Sequence, residues 1–141
     1  PVRKTTSAQA AKADTNAPVK RWQWPAAGRL LRNFTATRKT GIDISGAGGQ
    51  PVVAAADGRV VYSGSGLRGY GQLLIVKHNN RFLSAYAHNE RLHTAEGEWG
   101  VRGERIAQMG STGNDRVMLH FEIRRDGKPV NPLSYLPKNS P

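Results

Sequence analysis

The stretch that decides the fold lies at residues 117–130 and reads VMLHFEIRRDGKPV. Residues 117–125 and 128–130 flank Asp126-Gly127. This dipeptide favours two-residue turns between antiparallel strands because its residues tolerate a positive φ. The stretch therefore predicts a β-hairpin.

Other parts of the chain have the same character. Two further pairs of β-like runs flank turn-forming residues, namely 51–56 and 59–63 around Asp57-Gly58, and 73–78 and 82–88 around Asn79-Asn80-Arg81. No segment shows sustained 3.6-residue periodicity, and no repeat of domain-building length occurs. We therefore predict an all-β domain, an antiparallel sheet with long connecting loops.

Composition divides the chain into three parts. Residues 1–20 are rich in Ala, Thr, Ser and Lys, so we expect a flexible basic linker. A folded domain is predicted over residues 21–137, with Trp22 and Trp24 sealing one edge of its core. Residues 138–141 are predicted to be a tail.

Residues 131–137 read NPLSYLP and are predicted to close the domain. We expect Leu133, Tyr135 and Leu136 to dock this segment on the core. Because the sequence starts at Pro1 rather than at a methionine, we expect it to be part of a longer or processed chain.

The charge balance limits the classes of partner. The chain has 21 basic and 10 acidic residues and a formal net charge of +11, which favours polyanionic partners. The basic residues are dispersed and no nucleic-acid-binding motif occurs, so we predict no nucleic-acid partner. No cysteine is present, which excludes disulfides and thiolate metal ligands.

Three zinc-capable side chains lie in three β-like segments: Asp43, His88 and His120. Distant strands can converge on one sheet face, so a shared site is conceivable, although histidines in strands more often serve as hydrogen-bonded structural residues. His78 and His93 fit no such constellation, and we expect both to face solvent.

Two short motifs resemble those of a known family. Residues 39–43 (KTGID) and 118–122 (MLHFE) resemble the motifs His-x-Gly-x-Asp and His-x-His-Phe-Glu of the LytM/lysostaphin-type peptidoglycan endopeptidases. Further matching blocks lie at residues 55–60, 85–88 and 103–113. The resemblance implies a LytM domain, a duplicated hybrid motif of barrel-sandwich type with a groove.

The resemblance also implies that the family's reaction is lost. Its zinc ligands map onto Lys39, Asp43 and His120, and its catalytic histidines map onto His88 and Met118. A lysine ammonium offers no lone pair, and a thioether is a poor zinc ligand and no general base. We therefore expect no zinc cofactor and no catalytic residue, and we expect Lys39 to pair with Asp43 in place of the metal.

Residues 66–78 (GLRGYGQLLIVKH), 84–89, 121–124 and 131–137 are similar to the murein hydrolase activators of Gram-negative bacteria. That branch implies a partner, a periplasmic N-acetylmuramoyl-L-alanine amidase activated at the division septum. It also implies an outer-membrane lipoprotein with a peptidoglycan-binding LysM module, so that membrane contact would come only from a lipid anchor outside these residues. The predicted partner-binding groove residues are Lys39, Arg68, Tyr70, Tyr86, Met118, His120 and Arg124.

Two alternatives remain open. One is a zinc-dependent peptidoglycan endopeptidase with an atypical site. The other is a peptidoglycan-binding module that grips the wall through the groove and the basic surface.

Overall fold

The computed structural model describes residues 3–4, 9 and 12–138, and only the backbone of residues 3 and 4. The strands of this part are β1 Arg3–Lys4, β2 Leu30–Arg32, β3 Ile42–Ser45, β4 Pro51–Val53, β5 Gly58–Gly64, β6 Gln72–Lys77, β7 Phe82–Leu92, β8 Glu98–Gly100, β9 Arg105–Met109, β10 Met118–Arg125 and β11 Lys128–Val130. A 3-10 turn at Pro132–Ser134 follows. No helix in the described residues has the length and apolar character needed to cross a membrane.

The strands form one sheet in the order β1-β8-β5-β6-β7-β10-β3-β2, and every described pairing is antiparallel. β7 is the long central strand. It pairs with β6 and β10, and its C-terminal end pairs with β9, which in turn pairs with β4. The predicted all-β, antiparallel class is confirmed.

Two of the three predicted hairpins are confirmed. β10 pairs with β11 across Asp126-Gly127, and β6 pairs with β7. The predicted pairing of residues 51–56 with residues 59–63 is wrong, because β4 pairs with β9 and β5 pairs with β6 and β8. Residues 54–56 leave the strand and are buried in the core, so the turn at Asp57-Gly58 connects separate ladders.

The core lies against β7 and β10, with Tyr86, Phe121 and Ile123 fully buried. Trp22 packs edge-on against the rings of Phe82 and Tyr135, at centroid distances of 5.8 and 6.0 Å. Trp22 and Trp24 both pack against the core, as predicted.

The closing segment docks through two of its three predicted residues. Leu136 is buried and Tyr135 packs on the core, but Leu133 is 36% exposed. Leu133 lies in the 3-10 turn, whose tight geometry turns successive side chains to different sides, and it is Pro132 of this turn that is buried.

The predicted linker lies partly outside the described residues, and so does most of the predicted tail. Residues 12–20 are the continuous part of the predicted linker that the structure describes, and they lie against the sheet. The Asp14 carboxylate accepts hydrogen bonds from Arg59 and Lys77, which lower its pKa to about 2, and the carbonyl of Ala17 accepts one from Asn79. The predicted domain bounds stay a prediction.

His78 is buried, contrary to the prediction that it faces solvent. Its Nδ1 lies 2.7 Å from the Asp57 carbonyl oxygen, and its Nε2 lies 2.7 Å from Ser84 Oγ. Ser84 Oγ lies 2.7 Å from the hydroxyl of Tyr86, which accepts a hydrogen bond from the amide of Ala55. Because the Asp57 carbonyl can only accept, Nδ1 of His78 carries a proton, and burial keeps the imidazole neutral by lowering its pKa to about 4. Nε2 then accepts from Ser84, and Ser84 in turn accepts from the hydroxyl of Tyr86.

This buried imidazole predicts a loss of stability in mild acid. Burial lowers the pKa of His78 to about 4, below the ordinary value of 6.5, so between these pH values only the unfolded chain takes up the proton. The contribution is present above pH 6.5 and declines as the pH falls towards 4, by on the order of 3 kcal/mol. We expect the free energies of unfolding of wild type and His78→Gln, measured in urea, to converge by this amount between pH 7 and pH 4. A gap independent of pH would contradict the assignment.

Candidate functional site

The centre of the site is built across the β3–β10 ladder. Asp43 on β3 stands directly opposite His120 on β10. Gly41 allows this close approach, because a Cβ there would lie 2.3 Å from the Phe121 carbonyl oxygen. The glycine of the sequence motif therefore brings the two strands together where the two polar side chains meet.

Asp43 is fully buried and has two cationic partners. His120 donates from Nδ1 to Oδ1 of Asp43 over 2.6 Å. Arg32, its cross-strand neighbour on β2, donates from Nε to Oδ2 over 2.6 Å. Both carboxylate oxygens are therefore engaged, and the charge of this buried acid is balanced.

The second carboxylate, Glu122, is also fully buried and lies on the other side of the imidazole. His120 donates from Nε2 to Glu122 Oε2 over 2.8 Å, and Arg124 donates from Nε to Oε1 over 2.9 Å. The Tyr70 hydroxyl donates to Glu122 over 3.2 Å and accepts from Arg124 over 3.3 Å. We call Arg32, Asp43, His120, Glu122 and Arg124 the ion network, in which positive and negative groups alternate.

The ion network stabilises a doubly protonated imidazole. Burial disfavours the charged form of His120, but hydrogen bonds to Asp43 and Glu122 outweigh it and raise its pKa to about 9. Burial likewise favours the neutral form of each carboxyl, yet the hydrogen bond from His120 lowers the pKa of Asp43 and of Glu122. At neutral pH both nitrogens of His120 therefore carry protons and neither offers a lone pair.

His88 faces His120, with ring centroids 6.3 Å apart, and differs from it in charge. Burial lowers the pKa of His88, whose Nδ1 donates to the Thr112 carbonyl over 2.8 Å.

The backbone of His88 has a φ of +69°, and its amide donates to the Tyr70 carbonyl. Gly71, with a φ of +62°, is required at the next position of that loop, because a Cβ there would meet the Thr112 carbonyl at 2.1 Å. This contact fixes the loop that carries Tyr70.

Lys39 does not pair with Asp43, in contrast to the prediction. It is exposed in a turn with a φ of +60°, and it has no ion pair within residues 12–138. Arg32, rather than Lys39, is the side chain that pairs with Asp43. Sequence reasoning missed Arg32 because it belongs to no motif, and only the β2–β3 register places it opposite Asp43.

A groove of about 550 Å³ opens over the ion network. Its lining includes four of the seven predicted groove residues, Arg68, Tyr70, Met118 and His120, together with Arg32, Arg38, His88 and Asn114. Arg124 does not line the groove but donates a hydrogen bond to the hydroxyl of Tyr70, which does. Tyr86 is not a groove residue, because its ring is fully buried against Phe121 in the core.

The residues present do not fit a zinc ion. A catalytic zinc takes three protein ligands and keeps one open position. Asp43 and His120 are bonded to each other and to further partners, and Lys39, at the third position, is exposed. Across the described part of the chain, no group of three His, Asp or Glu side chains is arranged to hold a metal.

Comparison with known proteins identifies relatives. The family model described as Peptidase family M23 matches residues 37–132. A lipoprotein NlpD/LppB homolog of Pseudomonas aeruginosa is 60% identical over 119 residues, which are 83% of this chain and 40% of that protein. The murein hydrolase activator NlpD of Salmonella dublin is 51% identical over 140 residues, 98% of this chain and 37% of that protein. The chain thus spans 37% to 40% of the length of these relatives.

A solved structure supports the same fold. The crystal structure of a zinc containing peptidase from Vibrio cholerae matches with a TM-score of 0.72 and 24% identity, over 79% of this chain and 39% of that chain. At this level of identity the likeness concerns the fold alone.

The two candidate cations for Asp43 can be separated by mutation. We expect Arg32→Ala to lower the free energy of unfolding by about 1 kcal/mol, since the arginine is half exposed and its ion pair is screened by water. Lys39→Ala should change it by less than about 0.5 kcal/mol, as for an unpaired surface residue. Urea denaturation at pH 7 measures both, and an equal loss in the two variants would contradict the ion network.

The protonation of His120 is directly measurable. With a folded-state pKa of about 9 and an ordinary value of 6.5, its stabilising contribution is complete below pH 6.5 and is lost as the pH rises through 9. We expect its imidazole resonances to titrate near pH 9 in NMR spectra, while His88 titrates below its ordinary value. A midpoint for His120 at or below 6.5 would show that the ion network does not form.

Proposed function

The chain belongs to peptidase family M23, and we propose that it is a non-catalytic activator of an N-acetylmuramoyl-L-alanine amidase that splits septal peptidoglycan. The observation that carries this proposal is the ion network, which engages Asp43 and His120, two of the three residues onto which the resemblance maps the zinc ligands. Lys39 and Met118 replace two of the five active-site histidine and aspartate positions, so neither the ligand set nor the proton-transfer pair is complete. The name murein hydrolase activator, carried by a relative, supports the same function.

The groove is the surface that we propose for the amidase. It is concave, it contains Tyr70 and a buried thioether at Met118, and it has the exposed guanidinium of Arg68 on its rim. Aromatic and arginine side chains contribute strongly to protein interfaces, and methionine adapts to a partner's shape. An activator must bind the open state of its amidase more tightly than the occluded state, because only differential affinity shifts that equilibrium.

The charge of the groove indicates which kind of partner segment would bind there. The two carboxylates of the ion network beneath it, Asp43 and Glu122, are both neutralised there, whereas Arg38 and Arg68 have no ion pair among the described residues. The open groove is therefore cationic, and we expect the docking segment of the amidase to be acidic.

The names of the relatives support a location in the cell envelope. The Pseudomonas protein is named a lipoprotein, and we propose that this chain works in the periplasm of a Gram-negative bacterium, tethered to the outer membrane by parts beyond these residues. Residues 21–137 would be the amidase-binding LytM domain. Peptidoglycan would be the substrate of the partner.

The activity test is release of dye-labelled peptidoglycan by the protein alone, by a periplasmic N-acetylmuramoyl-L-alanine amidase alone, and by both. We expect release by the mixture to exceed that of the amidase alone, with no release by the protein alone. Release by the protein alone that a chelator abolishes would overturn the proposal and establish the zinc endopeptidase.

Charge reversal tests the groove. We expect Arg68→Glu to reduce activation by about tenfold, because it places a like charge against an acidic partner segment. Arg91→Glu is the matched control, since Arg91 is exposed on β7 and does not line the groove. Equal activation by Arg68→Glu and Arg91→Glu would remove the groove from the interface.

A further inference from the structure

A second concavity, of about 630 Å³, lies apart from the groove and shares no lining residue with it. It is formed by the segment that enters the domain, the start of β4, the turn before β9 and the closing segment. We call it the indole pocket. Its lining residues are Arg21, Trp22, Gln23, Trp24, Pro25, Ala26, Ala27, Gln50, Pro51, Val53, Arg102 and Pro137.

The walls of the indole pocket are held rigidly. The Trp24 indole N–H donates to the Pro137 carbonyl over 3.0 Å. Trp22 is wedged edge-on between neighbouring rings, with its centroid 5.1 Å from that of His78. The Gln50 amide bonds the backbone of Ala27 and Ala47. A pocket whose aromatic walls are already ordered loses little conformational entropy on binding.

Three polar groups of the same pocket remain available. The side chains of Gln23, Arg21 and Arg102 make no hydrogen bond or ion pair within residues 12–138, although the Arg102 backbone amide is bonded to Asp57. No acidic side chain is among the lining residues. The pocket therefore combines fixed apolar faces with one free amide and two free guanidinium groups.

We propose that the indole pocket binds an N-acetylated amino-sugar chain that carries carboxylates. Indole faces suit the C–H faces of pyranose rings, the Gln23 amide can exchange hydrogen bonds with an acetamido group, and guanidinium groups bind carboxylates in a forked geometry. A murein glycan strand has this chemistry once the amide bond between its lactyl carboxyl and the stem peptide has been cleaved, as an N-acetylmuramoyl-L-alanine amidase does. An apolar peptide would use the indoles but leave the amide and both guanidinium groups without partners, at a desolvation penalty.

This site is independent of the proposed amidase interface. The groove and the indole pocket have separate linings, so the protein would hold a wall strand at one site and the amidase at the other. An Arg21→Ala/Arg102→Ala variant should therefore activate the amidase like the wild type, and the failure of one proposal leaves the other standing.

The test titrates the protein with three probes and follows tryptophan fluorescence and the indole N–H resonances. The first is the disaccharide N-acetylglucosaminyl-N-acetylmuramic acid, which has one carboxylate. The second is chitobiose, which has the acetamido groups and no carboxylate. The third is the dipeptide L-Ala-D-Glu, which has carboxylates and no sugar.

We expect saturable binding of the carboxylated disaccharide, with shifts at Trp22 and Trp24, and chitobiose binding at least about tenfold weaker, as for loss of a charge-assisted hydrogen bond. The dipeptide should give no saturable shift. Arg21→Ala/Arg102→Ala should reduce the affinity for the carboxylated disaccharide to that for chitobiose. Gln23→Ala should weaken the binding of both sugars.

Arg91→Ala/Lys128→Ala is the matched control, because it removes the same charge from exposed residues outside the pocket. It should leave disaccharide affinity within about twofold. An equal loss in both double variants would reduce the effect to non-specific attraction by a basic protein. Absence of saturation, or equal binding of the dipeptide, would overturn the proposal.

Discussion

The rest of the site depends on one constraint, the burial of two carboxylates on neighbouring strands. Asp43 and Glu122 are both fully buried, and an ionised carboxylate withdrawn from water must be paired and hydrogen-bonded to remain charged. Here His120 lies between them and donates to both, while Arg32 and Arg124 complete the outer sides. The alternating charges hold β2, β3 and β10 in one register and orient the floor of the groove.

In this M23 fold, the centre of the site is occupied by hydrogen-bonded charged side chains. Gly41 brings β3 against β10, and the loop at Gly71 packs against Thr112, so these two glycines shape the backbone around the site. A protonated imidazole between two acids supplies the positive charge at the centre. A concave groove lined by cations is suited to bind a partner, which is the basis of the proposed activator function.

Much of the fold could be predicted from local sequence signals. The predictions that were wrong have a common cause. Asp126-Gly127 marks a hairpin that forms, whereas Asp57-Gly58 looks alike and joins strands of different ladders. A turn dipeptide reports the local change of direction. Which strand pairs with which depends on the burial of residues such as Ala54 and Ala55, which draw the chain into the core between β4 and β5.

The sequence by itself determined the antiparallel all-β class and the family, and it predicted that Lys39 and Met118 stand in place of histidines, because these depend on residue identity at fixed spacing. Only the tertiary structure decided that Arg32 and not Lys39 pairs with Asp43, and that Tyr86 belongs to the core. It alone assembled the indole pocket from four distant segments. The physical reason is that cross-strand neighbours are set by register and burial between segments far apart in the chain, and no short motif encodes either.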